Sequence, residues 1–533
     1  MGTLWKNGII YTMEKEGHYV EAVFTENGVI QGLGSSEEME KDERFTIETV
    51  IDLQKNVMFP GFVDSHMHLI GHGETLMRLD LSGMNSKQEV LDAIREKAKG
   101  LKRGEWVIGE GWNENLWSDA AVLTKQEIDE VVPDHPVLLK RICRHAMVVN
   151  SPALRNAGIS EASPNPSGGL IERDERGELN GLLKDKAQDL MIDALPPISS
   201  EYLQGALAKG IESCWEQGLT GGHTEDLSYY GNFKKTYDAF VHTITEGKKK
   251  FRAHLLVHHE VIDDWKEDGH EFLGGNEFIE FGAMKIFADG ALGGRTALLS
   301  YPYADDPSTT GVSIHTNKRL LELVKKARNY DLPIAVHTIG DQAFENVINA
   351  ITEEPSHFER RDRLIHAQIL RKELIERIKD LPLILDIQPR FVASDFPWVI
   401  DRLGEENMKY NYAWKTLLDE GILCAGGSDA PIEPVNPLWG IHAAVTRTNP
   451  LDPAKTTYRP EEKLTMYEAI SLFTKGSAYA CHHEHDRGVI REGFAADFTV
   501  LDIDPFKADP DQLLEKVVDM TIVDETIVYK KSK

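Results

Sequence analysis

Eight short apolar runs, most of them separated by helix-like stretches, restrict this chain more than any other feature. In order they read VMFPGFVDSH, GLTGGHTED, RAHLLVHH, FGAMKIFADG, LPIAVHTIGD, RLIHAQ, LPLILDIQP and ILCAGGSDA. Stretches such as NKRLLELVKKARNY and KELIERIKD lie between them, with charged faces and apolar stripes. Strands that alternate with helices point to a parallel α/β architecture, because parallel neighbours need a crossover connection. About eight such units are what a closed (β/α)8 TIM-like barrel requires. The expected barrel spans 57–485.

Two parts of the chain do not follow that rhythm. Residues 75–198 are too long for a loop and carry strand-like pieces of their own, EWVIGEGW and HPVLLKRICRHAMVVN. They read as a subdomain inserted after the first barrel strand. Within it, PNPSGGLIERDERGELNG is rich in Gly, Pro and charge, and is expected to form a flexible or ligand-covering loop. The two ends, 1–56 and 486–533, show β-type bursts punctuated by turn residues such as Asn27-Gly28. Neither end has enough apolar surface to stand alone, so they are expected to pair as one β-sandwich domain. A chain of 533 residues is long enough for several cores.

Charge and cysteine usage narrow the function. A formal net charge of -28 argues against nucleic acid or an anionic membrane surface as partner. No apolar run approaches the roughly 18 residues of a membrane span. MGTLWKNGIIYTMEKEG lacks the basic-then-apolar pattern of a signal peptide. Cys143, Cys214, Cys424 and Cys481 form no C-x-x-C pair and fit reduced thiols. The expectation is a cytoplasmic protein that acts on a small molecule, with a homodimer as the default assembly.

In a barrel, residues at the C-terminal ends of strands converge on one mouth. The first run ends in His66 and His68, the fourth carries Lys285 and the fifth ends in His337. The sixth carries His366, and the eighth ends at Asp429. Alternation along a strand puts His66 and His68 on one side. A lone strand-end histidine is more often hydrogen-bonded core, and H-x-H alone is only moderately specific. The joint pattern is different, since independent core histidines have no reason to gather at these strand ends. Imidazole and carboxylate together suit zinc, with manganese, iron or nickel as alternatives.

PGFVDSHMH, the later strand-end His, His and Asp, and paired β-rich termini resemble the amidohydrolase superfamily over nearly the whole chain. GEGWNENLW, RHAMVVNSPAL, GGLIERDERGELNGLLKD, KIFADGALGGRTA and GGSDAPIEPVNP are similar to its YtcJ-type branch, which is related to the N-substituted formamide deformylases. The resemblance implies a centre of two divalent ions bridged by a carbamate that carbon dioxide forms on Lys285. The alternative for Lys285 is an ion pair with Asp289 or another acid. His66, His68 and Asp429 would hold one ion, and His337 and His366 the other. A metal-bridging hydroxide would attack, with Asp429 as the catalytic residue that takes its proton and delivers it to the leaving nitrogen. The implied activity is cleavage of an amide, N-acyl or N-formyl C–N bond. A deaminase, an esterase or lactonase, and a non-catalytic regulatory member are the alternatives.

Other residues are candidates for reading the substrate. Arg295, beside Thr296 in a Gly-rich loop, could grip a carboxylate or carbonyl in a bidentate contact, or face solvent. His145 and Asn150 lie in the inserted segment, which is expected to roof the site. His223 ends the second run, where a hydrogen bond to the tetrahedral intermediate and a structural role both stand open. Trp112 and Trp117 offer aromatic walls but are also ordinary core material. Of His258 and His259, only one can face inward. CHHEHDRG at 481–488 resembles a metal box, yet it falls at a helix end away from the mouth and reads as a solvated surface cluster.

Overall fold

Runs that are buried on both faces become central strands, and the computed structural model shows this directly. It describes residues 2–114, 117, 122–141, 146–166, 169–357 and 360–532. The barrel strands are β1 (Phe62–Met67), β2 (Leu219–Thr224), β3 (Arg252–His258), β4 (Ile279–Phe287), β5 (Ile334–Thr338), β6 (Asp362–His366), β7 (Leu383–Ile387) and β8 (Cys424–Gly426). Every residue of β2, β3, β6 and β7 is buried, as expected for a parallel sheet covered on both sides. Successive strands pair in parallel from β1 through β8. The seam between β8 and β1 is bridged by Asp429 N donating to His66 O at 2.8 Å and His68 N to Ala430 O at 2.8 Å. Ser428 N also donates to Asp64 Oδ1 at 3.1 Å.

The intervening helices carry the amphipathic pattern seen in the sequence. Asn317–Asn329 buries Leu320, Leu323, Val324 and Ala327, and the Thr316 hydroxyl caps it by accepting from Arg319 N. Asp341–Glu353 buries Phe344, Val347, Ile348 and Ile351.

The first run turns out to be two strands. Val57–Pro60 belongs to a different sheet, and Gly61 separates it from β1. Only a glycine fits between them, because a Cβ on Gly61 would lie 2.4 Å from Thr220 Oγ1. The terminal contribution therefore runs to Pro60 rather than stopping at 56. It forms one eight-stranded sheet from Gly2–Tyr11, Tyr19–Glu26, Val29–Gly34, Ile47–Asp52 and Val57–Pro60 with Phe498–Leu501, Val518–Val523 and Thr526–Lys530. Val57–Pro60 and Phe498–Leu501 pair antiparallel and join the two chain ends. Trp5 packs edge-on to Phe498 at 5.8 Å in the core of this sheet.

The chain divides into two compact units, Met1–His72 with Leu203–Lys533, and Gly73–Tyr202. The second has a six-stranded sheet of Leu79–Asp80, Val107–Trp112, Val137–Arg141, Ala146–Val149, Gly169–Arg173 and Leu179–Asp185. The stretch expected to be a flexible loop is largely a hairpin, with Gly169–Arg173 antiparallel to Leu179–Asp185. Asp174 Oδ1 accepts from Arg176 N and Glu178 N at its turn, and Ile171 and Leu179 face the core. Asp174, Glu175, Arg176 and Glu178, most of the charges that suggested a loop, lie in its turn. Among the described residues no helix is long and apolar enough to cross a membrane.

Candidate metal centre

The C-terminal ends of β1, β4, β5, β6 and β8 bring His66, His68, Lys285, His337, His366 and Asp429 together. Asp429 Oδ1 lies 3.4 Å from His66 Nε2 and 3.5 Å from His68 Nε2. Lys285 Nζ lies 3.4 Å from His66 Nε2. The His366 ring is 5.7 Å from that of His66 and 4.5 Å from that of His337. Register explains the convergence: Phe287 pairs with His337 and Thr338 with His366, so neighbouring strands end at one level.

Each outer histidine is fixed through one ring nitrogen. His68 Nδ1 lies 2.7 Å from Glu225 O, His366 Nδ1 2.7 Å from Gln388 Oε1, and His337 Nε2 3.0 Å from Gly290 O. Such contacts orient an imidazole and leave its other nitrogen to a ligand. The backbone is strained here too, with His366 at φ 77° and Asp429 at φ 58°.

Burial sets the charges. It pushes His66 and His337 well below the ordinary histidine range, helped by Lys285 and His366 respectively. It lowers His366 to about 4. It also lowers Lys285, against the pull of Glu225 and Asp429. Burial would lower His68, but Asp429 outweighs it and raises that ring. Three imidazoles are thus neutral beside an ionised Asp429, which burial fails to raise because His68 and His366 face it. Possible ligand atoms of His66, His68 and Asp429 lie within 4.8 Å of one another, and His66 Nδ1 has no hydrogen-bond partner. This donor set fits a divalent cation.

Glu225, one residue beyond β2, escaped the sequence reading. It is fully buried, and its carboxylate lies 3.7 Å from Lys285 Nζ. Lys285 therefore faces Glu225 and not Asp289, whose oxygens accept from Leu298 N, Ile339 N and Gly340 N. Glu225 follows strand-end His223 in GLTGGHTED, so the strand-end pattern that picks out the histidines reaches it as well. Gln388, just after β7, is a second residue of that kind.

The expected substrate contacts fare differently. Arg295 is committed to Asp305, with Nε and Nη2 at 3.0 and 2.9 Å from its two oxygens. Thr296 Oγ1 bonds back to Ala291 N and O within its own loop. His223 packs against His254 at 4.9 Å, and its charged neighbours are Arg363, His254, His483 and Arg487 rather than any of the six converging residues. Trp112 is fully buried in the core of the inserted unit and donates to Leu139 O at 2.9 Å, which leaves no wall for a ligand. Trp117 belongs to that core as well and donates to Met84 O. Asn150 caps Ser151–Asn156 and bonds Val137 N, Val132 O and His135 O. His145 lies outside the described residues. His258 is buried at the end of β3, 6.4 Å from Tyr229, whose ring is 5.8 Å from His68. The Phe287 ring lies closer still, 5.2 Å from His337 and 4.4 Å from Lys285 Nζ.

Known proteins carry the same arrangement of chain. The amidohydrolase family profile matches residues 49–529. The Bacillus subtilis (strain 168) protein named "Putative amidohydrolase YtcJ" is 54% identical over 532 residues, covering 100% of both chains. An N-substituted formamide deformylase of Arthrobacter pascens is 26% identical over 548 residues, covering 99% of this chain and 98% of its own. The crystal structure of an uncharacterized metal-dependent hydrolase from Pyrococcus horikoshii OT3 superimposes with a TM-score of 0.80 at 28% identity, over 96% of this chain and 99% of that one. The chain belongs to the amidohydrolase family of hydrolases.

Proposed function

We propose that this protein hydrolyses an amide, N-acyl or N-formyl C–N bond of a small molecule at the strand-end cluster, with two divalent ions, zinc before manganese, iron or nickel. The convergence of His66, His68 and His366 on Asp429 beside a buried Lys285 carries the reading. The deformylase name of one full-length relative supports the bond type. His66, His68 and Asp429 would hold one ion, and His337 and His366 the second.

When bound, such ions supply a Lewis acid for the carbonyl and bring the pKa of water toward neutrality. The chain's own residues supply the rest. Asp429 takes the proton of the attacking water and hands it to the leaving nitrogen. Glu225 O, Gln388 and Gly290 O hold the rings of His68, His366 and His337 in orientation. Burial favours the neutral amine of Lys285. A neutral amine could add carbon dioxide, giving a carbamate and one proton, and Lys285 in that form would help to hold the ions.

The test is steady-state turnover of zinc-replete protein on a panel of amides, formamides, esters, lactones and aminated ring compounds. Acid and amine released in equal amounts are expected. Ammonia without an acid product, ester or lactone cleavage alone, or inactivity across the panel would each replace this reading. Intact mass under native conditions checks the carbamate: unmodified Lys285 in active, two-metal protein would remove it from the scheme.

A further inference from the structure

The opposite end of the barrel holds a second cluster of ligand-type side chains. His254 is the third residue of β3 and Glu280 the second of β4, so both sit near the N-terminal strand ends. Cys481 comes to them from the end of the short helix Ser477–Ala480. All three are buried, and possible ligand atoms from each lie within 4.8 Å of one another. CHHEHDRG is therefore not a solvated cluster throughout. His485 is exposed, but Cys481 is buried and His483 reaches Glu280 Oε2 at 2.7 Å.

A hydrogen-bond network accounts for part of this arrangement. His254 Nδ1 lies 2.9 Å from Glu280 Oε1, and His483 Nδ1 lies 2.9 Å from Asp486 Oδ1. Burial would lower His483, but Asp486 and Glu280 outweigh it and raise it to about 9. That network gives no role to two further groups. The Cys481 thiol donates, among the described residues, to the carbonyls of Ser477 and Ala478 at 3.3 and 3.5 Å, and neither belongs to that network. His223, about 1% exposed, has a partnerless Nδ1 and lines the same cavity of about 30 Å³ as His254, Glu280 and Cys481. A cavity of that size exceeds the roughly 10–15 Å³ needed for one water.

The geometry points to a structural cation site formed by His254, Glu280 and Cys481, separate from the strand-end centre and suited to zinc. Thiolate, imidazole and carboxylate form a borderline-soft set that favours zinc over magnesium or calcium. A tetrahedral zinc keeps its ligand atoms about 3.3–3.8 Å apart given bonds of about 2.0–2.3 Å, so small side-chain rotations close the cluster. Binding forms an S–metal bond and releases the Cys481 proton, and Glu280 with the thiolate neutralises the ion. His483 then holds the second Glu280 oxygen, as partners of metal ligands commonly do. The ion ties β3 and β4 to the segment that leads back into the terminal sheet. At this end of a barrel, such a role serves stability rather than turnover.

Cobalt(II) substitution of the full-length protein separates the two sites, because none of the six strand-end residues is a thiol. Metal-stripped protein reloaded with cobalt(II) is expected to show a near-ultraviolet thiolate-to-cobalt absorption. It should also carry one more cobalt per chain than Cys481→Ser, which lacks the band. Glu280→Gln is the second variant, expected to lose the same equivalent should Cys481→Ser not fold. Equal cobalt content in wild type and variants, or a thiolate band that survives Cys481→Ser, overturns the site.

Discussion

A neutral imidazole nitrogen is what a divalent cation binds, and burial keeps His66, His337 and His366 in that form. Asp429 stays ionised in the same surroundings. If it moves the proton during turnover, Asp429→Asn lowers kcat by about 10²–10⁴-fold. Metal content measured on the same sample separates a lost proton carrier from a lost ligand. Burial acts on His72 as well, lowering it to about 4 beside Ser213 Oγ at 3.0 Å. Its pKa is lower in the folded chain than the unfolded 6.5, so the unfolded state takes up the proton first as pH falls. Its contribution is whole above pH 6.5 and lost on the way down to about 4. Relative to His72→Gln, the wild type should lose up to about 3 kcal/mol across that interval, read by urea unfolding at a series of pH values.

The barrel was legible because strands buried on both faces are continuous apolar runs, and because strand-end histidines stand out where an apolar core gives them no partner. The Val57–Pro60 and Phe62–Met67 break was not, since VMFPGFV is equally apolar on both sides of Gly61. His223 was misplaced for a related reason: the β1–β2 register shifts between Gly222 and Thr224, which defeats counting faces along the strand. The partners of Arg295 and His483 could not be read from sequence, because Asp305 and Glu280 are set by loop path and fold. Two measurements probe the elements. Thr316→Ala removes the cap of Asn317–Asn329 and should cost about 1 kcal/mol by chemical denaturation. Arg252, buried at the start of β3, pairs with Asp497 at 3.0 Å ahead of the last sheet strands. Asp497→Ala strands that guanidinium and should cost about 3–5 kcal/mol in the same assay.

Over the whole molecule, the strand-end cluster concentrates ionisable groups in a buried volume, and a bound cation relieves that arrangement only in the folded state. Chelation should therefore lower the Tm, and zinc at 1,000 times its Kd should restore about 4 kcal/mol, measured by calorimetry before and after reloading. The seam that closes the barrel gives this dependence a timing. Asp64 and Ser428 meet across 364 positions of chain, and the backbone of His66 is bonded by that of Asp429. A nascent polypeptide emerging from the ribosome thus displays His66 and His68 long before Asp429 has been made. Loading of the cation proposed there would wait until residue 429 of 533 has been made, and a message cut short before codon 429 would yield a product without that pocket.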